Sequence, residues 1–106
     1  MYKIVYFVPE SHLEEVKNAV FAAGAGKIGD YEHCCWQTEG EGQFRPSAAA
    51  NPFIGRAGEL EKVREYRVEL VCADDCIRTA IAALKAAHPY EEPAYDVMLL
   101  VDPDAL

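Results

Sequence analysis

The sequence predicts an α+β domain of ferredoxin-like type, a βαββαβ sandwich with two helices on one face of an antiparallel sheet. Three observations predict it. Extended patterns fall at residues 2–8, 30–38, 63–72 and 94–101. Helical patterns fall between the first pair and between the last pair. The resulting order, strand, helix, strand, strand, helix, strand, is that of two split βαβ units. With 106 residues the chain is of single-domain size, read here as a domain over 1–102 and a frayed tail over 103–106.

The elements follow in order. Tyr2, Ile4, Tyr6 and Val8 alternate with Lys3, Val5 and Phe7, an extended segment largely apolar on both faces. "SHLEEV" predicts a helix start, with Ser11 as N-cap and Glu14 completing a capping box. Leu13, Val16 and Val20 recur on one helix face, and Gly24 or Gly26 stops it. "DYEHCCWQT", residues 30–38, reads as the second strand, and "GEGQFRP" as a turn with a short further segment. "SAAANPFIGRAGELE" reads as a loop without periodicity. Tyr66, Val68, Leu70 and Cys72 alternate with Glu65, Arg67 and Glu69 in a clean strand pattern. Asp74 or Asp75 is expected to cap the second helix, whose stripe is Ile77, Ala80, Ile81 and Leu84. "AYDVMLLV" supplies the last strand.

Two helices cover one sheet face only, yet the first and last strands are apolar on both. A second copy of the chain is the economical cover, so a homo-oligomer is expected. Half of the residues are hydrophobic and the net charge is -8, which disfavours nucleic acid and anionic membranes. No apolar run is long enough to span a bilayer, and the N-terminal pattern reads as a strand rather than a signal peptide. The expected compartment is the cytoplasm, with Cys34, Cys35, Cys72 and Cys76 as free thiols.

Several motifs could carry chemistry. "GAGKIG", residues 24–29, has G-x-G-x-x-G spacing but follows a helix, the reverse of the dinucleotide-binding context. A glycine-rich turn is the better reading, with Lys27 near its amides. "HCCW" offers soft ligands: on a strand His33 and Cys35 share a face and could hold copper or zinc, although two ligands do not complete a site. The loop from Ser47 to Gly58 is long for a compact domain, and long loops serve ligands or partners. Its candidate contacts are Arg45, Asn51, Phe53 and Arg56. No nucleophile elbow, H-E-x-x-H or P-loop is present.

The strongest candidate is "AHPYEEPAYD", residues 87–96. Pro89 ends the helix near His88, where the helix dipole and the adjacent Glu91 and Glu92 favour the protonated imidazole. A corner does not need Tyr90 and two glutamates. That surplus marks His88, Glu91 and Glu92 as mixed N/O ligands for a divalent or copper ion.

"HPYEEPAYD", together with "GAGKIGDYEHC", "FRP" and "NPFIG", resembles the insert domain of the Nif-three-like (YqfO-like) proteins over residues 2–101. That domain is similar to CutA, which has a like "HPYE" corner, and to the PII signalling proteins. The resemblance implies a ferredoxin-like trimer with sheets packed around the axis. It also implies an effector cleft between subunits beside the long loop. The dinuclear metal ligands of the Nif-three-like proteins lie in domains flanking the insert and match nothing here, so a hydrolase or GTP cyclohydrolase-like activity is not carried over. The expectation is a non-enzymatic trimeric sensor for a metal ion or small molecule. The rivals are a ligand-free assembly domain and, less favoured, a metal-dependent hydrolase.

Overall fold

The computed structural model describes residues 1–106. Four strands, β1 (Tyr2–Pro9), β2 (Trp36–Phe44), β3 (Glu61–Cys72) and β4 (Tyr95–Leu99), and two helices, α1 (Leu13–Ala22) and α2 (Ile77–Ala87), follow in the expected order. The sheet order is β2-β3-β1-β4, and every pairing is antiparallel. This is the α+β sandwich read from the sequence.

Register decides which side chains meet. Ile4, Tyr6 and Val8 of β1 lie opposite Leu70, Val68 and Tyr66 of β3. They point to the helix face, where Val16, Val20, Ala80 and Leu84 complete the core. The other face carries Val5 and Phe7 in the centre and Glu65, Arg67 and Glu69 on β3. It is therefore less uniformly apolar than β1 alone suggests. Ion pairs cross it, Lys3 to Glu69 at 3.8 Å and Arg67 to Glu69 at 2.7 Å.

One core residue carries an internal conflict. Tyr6 is fully buried, and its hydroxyl has no hydrogen-bond partner. Burial, aided by the nearby Cys35 and Glu14, pushes its ionisation far up. An unpaired buried hydroxyl costs about 1–3 kcal/mol. Tyr6→Phe is therefore expected to raise stability by about 1 kcal/mol, read as a higher midpoint in urea. A loss of similar size would show that the hydroxyl is satisfied in solution.

The structure corrects four local expectations. Glu10–His12 form a 3-10 turn, so Ser11 lies inside a turn, its hydroxyl bonds the His12 ring at 2.8 Å, and no capping box forms. Asp74 pairs with the N-terminal ammonium and α2 begins after Cys76 without a side-chain cap. Residues 30–35 are not strand. They belong to a tight turn built on positive φ at Gly24, Gly26, Gly29 and His33, pinned to β3 by Gly26 N–H to the Val71 carbonyl at 2.7 Å. Finally, Gly40 to Phe44 do not turn but continue β2 against β3. Gly42 makes room there for a tertiary contact: a Cβ on it would displace the Glu65 carboxylate.

Candidate functional site

The site begins at the end of α2. The chain leaves the helix at His88, which is extended (ψ 133) and still donates its backbone N–H to Leu84 at 2.9 Å. Pro89 enforces that exit. The imidazole is only 6 % exposed. Its Nε2 lies 2.6 Å from the Phe7 carbonyl, and its Nδ1 accepts from the Tyr90 N–H at 3.1 Å. A carbonyl needs a donor and an N–H needs an acceptor. The pair therefore fixes the neutral Nε2–H tautomer.

The protonated His88 expected from the helix end and its acidic neighbours is thus reversed. Burial holds its pKa below the ordinary histidine value, outweighing the Phe7 carbonyl and Glu65. Glu91 and Glu92 are exposed and turned to the cavity instead. Both ring nitrogens are spent on the backbone, so His88 is a pin between the corner and β1.

Tyr90 extends outward from that pin. Its ring sits 4.9 Å from the His88 ring and its hydroxyl donates to Glu65 Oε2 at 2.8 Å. Burial, then Glu65, push the Tyr90 ionisation well up. The Glu65 carboxylate reaches Tyr90 by lying over Gly42, the space that a side chain would fill. A glycine on β2 therefore positions an acid from β3 beside a tyrosine after α2.

The long loop closes over this group. Gly58 N–H to the Pro46 carbonyl at 2.8 Å ties its base, and Asn51 N–H to Glu91 Oε2 at 3.1 Å ties its middle to the corner. Phe53 sits edge-on to His12 at 5.4 Å and 6.4 Å from the Tyr90 ring. Phe44 lies 6.1 Å from Tyr90 on another side. Between loop and corner is a cavity of about 430 Å³, walled by aromatic rings and by Arg45, Glu65, Glu91 and Glu92. That volume suits a small organic molecule.

The expected site residues divide clearly. Arg45, Phe53, Glu91 and Glu92 line the cavity. Asn51 borders it through its backbone. Arg56 does not line it. His33 stacks on Phe21 at 4.8 Å, and Cys35 lies beside Leu70 and Val71, farther along β3 than Glu65. The two halves of the metal-ligand set are therefore not brought together. No three His, Cys, Asp or Glu side chains are grouped so as to hold a metal ion within the chain. The amides of Ala25 and Gly26 are bonded to the Val20 and Val71 carbonyls, so the G-x-G-x-x-G turn holds itself. Sequence reading missed Phe7, Phe44 and Glu65 as walls. Glu65 carried no signal, since it alternates outward in an ordinary strand.

No family model matches the chain. Curated relatives do. Over 101 residues it is 50 % identical to a GTP cyclohydrolase 1 type 2 homolog of Mycobacterium leprae, covering 95 % of this chain and 26 % of the relative. A protein of the same description from Bacillus subtilis is 46 % identical over 95 residues, again 26 % of the relative. Among solved structures, a Bacillus cereus protein related to NIF3 superposes with a TM-score of 0.81 at 44 % identity, over 95 % of this chain and 26 % of that one. The chain resembles the CutA-like segment of the NIF3-related proteins. It spans about a quarter of the length of the relatives it matches. The PII-like protein CutA from Nostoc superposes over the full chain with a TM-score of 0.67 at 18 % identity, covering 86 % of that protein. This confirms the CutA/PII-like fold of the segment. No helix is long and apolar enough to cross a membrane.

Proposed function

We propose that this CutA-like segment is a non-enzymatic binding module that holds a small molecule between its long loop and its "HPYEE" corner. One observation carries the reading. Two segments that are about forty residues apart, at Asn51 and Glu91, are tied together across a cavity that neither could form alone. Rings supply apolar surface and the carboxylates supply orientation, the composition of small-molecule sites. Nucleophile and general base are not paired here, so binding rather than turnover is the chemistry on offer. In this reading the activity named in the relatives resides outside the shared quarter.

The module is proposed to work as a trimer. Its sheet has two unlike open edges, β2 and β4, each with unpaired backbone groups. Trp36, Met98 and Leu99 on these strands are 61 %, 41 % and 73 % exposed. Joining the β2 edge of one copy to the β4 edge of the next is a head-to-tail contact, which closes into a ring of three when each copy is rotated by a third of a turn and otherwise gives an open filament. The ring would also cover the sheet face that the helices leave open.

Native mass spectrometry under reducing conditions tests the assembly, and amide chemical shifts against a fragment library test the site. A trimer, with shifts gathered at Ala50, Phe53, Tyr90 and Glu92, is the expected result. A monomer at all concentrations overturns the ring. Fragments that shift no cavity amide favour a ligand-free assembly domain. Added zinc or copper retained in fixed number per subunit would return the site to a metal.

A further inference from the structure

We propose that the cavity selects an organic cation, an ammonium group carried on a flat apolar body. The inference rests on the binding-module reading and goes further, because it names the chemical class of the ligand. Three features of the wall point the same way.

The first is charge. Glu65, Glu91 and Glu92 face Arg45, which leaves a net negative wall on a chain whose own net charge is -8. Arg45, Glu91 and Glu92 are all exposed and screened alike, while Glu65 is half-buried, so screening does not remove the excess of negative charge. An anion entering this cavity would meet three carboxylates. A neutral molecule would leave them uncompensated as it displaced their water.

The second is how the carboxylates are held. Glu65 takes one hydrogen bond, from the Tyr90 hydroxyl, and Glu91 takes one, from the Asn51 amide. Each donor is neutral and each carboxylate has further acceptor sites. The acids are oriented by these bonds but not neutralised. An ammonium carries three donors and could fill the open acceptor sites of one of them.

The third is the aromatic content. Phe44 and Phe53 flank Tyr90 at 6.1 and 6.4 Å with tilts of 57° and 46°, so the rings are not stacked face to face. Unstacked ring faces attract cations through their quadrupole, most strongly where water is excluded. They also accept the flat body of a ligand. Carboxylates and aromatic side chains in one wall suit a charged head on an apolar body. A bare metal ion would use only the acids and leave the rings idle.

Three probes of one shape separate these possibilities: 2-phenylethylamine, 2-phenylethanol and 3-phenylpropionate, which are cationic, neutral and anionic near pH 7. Binding to the full chain is followed by amide shifts of the cavity residues. The amine is expected to bind at least about ten-fold tighter than the alcohol, and the acid weakest. Glu92→Gln, an exposed change that keeps the fold, is expected to weaken the amine several-fold and not to weaken the alcohol, so the ratio of the two affinities falls. Raising the salt concentration should reduce the amine's advantage. Equal or tighter binding of the alcohol or the acid at the same residues would overturn the cation inference and leave the binding site standing. If none of the three moves a cavity amide, both the inference and the site reading fall. Competition of the amine by magnesium or zinc at equal concentration would assign the charge to a metal and overturn the proposal.

Discussion

His88→Ala is expected to destabilise the protein by about 3 kcal/mol, with no ligand present. The imidazole is almost wholly buried and bridges two backbone groups, the Phe7 carbonyl and the Tyr90 amide. Truncation leaves both without that partner and opens a cavity beside β1, and each effect costs about 1–3 kcal/mol. Urea denaturation at fixed protein concentration measures it, concentration being held because self-association adds to apparent stability. A change below about 1 kcal/mol would mean that the ring is not a pin. The same residue predicts a pH dependence. Its folded pKa lies below the ordinary value of 6.5, through burial. The unfolded chain therefore takes up a proton near that pH and the folded chain does not. Stability from this group is complete above about pH 6.5 and falls as pH drops below it, by at most about 1.4 kcal/mol per pH unit until the folded pKa is reached. The difference between wild type and His88→Ala should shrink in that window. A difference that grows on acidification would mean that the folded state binds the proton more tightly, the result expected from the helix end and the adjacent glutamates.

That reversal shows what the sequence could and could not display. The order of elements and the buried stripes follow from local periodicity, and the fold was legible from them. The long loop and the corner were legible as surplus: a turn has no use for Phe53, or for a tyrosine and two glutamates after a proline. Their meeting at one site was expected between subunits; the walls that Phe7, Phe44 and Glu65 add within one chain were not, because β1, β2, β3 and the end of α2 meet only through sheet register. His88 was misread for the same reason. Proximity in sequence suggested Glu91 and Glu92 as its partners, while register supplied the Phe7 carbonyl from a strand far away. Gly40 and Gly42 suggested a turn by their conformational freedom, but Gly42 serves a side chain from the next strand. Residues 30–35 offered His33 and Cys35 on one face only if extended, and a positive φ at His33 removes that premise. The unread part of the site is thus the part made by neighbours distant in sequence.

Tyr90 joins those distant parts, and its substitutions separate two roles. Tyr90→Ala removes the ring that touches His88, Phe44 and Phe53 together with the hydroxyl that engages Glu65. A loss of about 3 kcal/mol is expected, at the lower end for large-to-small changes because the residue is only half-buried. The larger consequence is local. With Tyr90 gone, Phe53 keeps only His12 among its ring partners, and the loop should open well before the sheet unfolds. Trypsin cleavage after Arg56 is then expected to quicken by ten-fold or more. Tyr90→Phe keeps the rings and removes only the hydrogen bond. A bond to a charged acceptor is worth about 1.5–3 kcal/mol when buried and less when partly solvated, so about 1 kcal/mol is expected here. Cleavage at Arg56 should stay near the wild-type rate. Adding Glu65→Gln to Tyr90→Phe should cost less than the sum of the two single changes, since each breaks the same contact. If Tyr90→Phe alone releases the loop, the Glu65 contact holds the cavity shut and the rings are secondary. If Tyr90→Ala leaves the loop protected, the tie from Asn51 to Glu91 suffices, and the aromatic wall exists for something other than the fold.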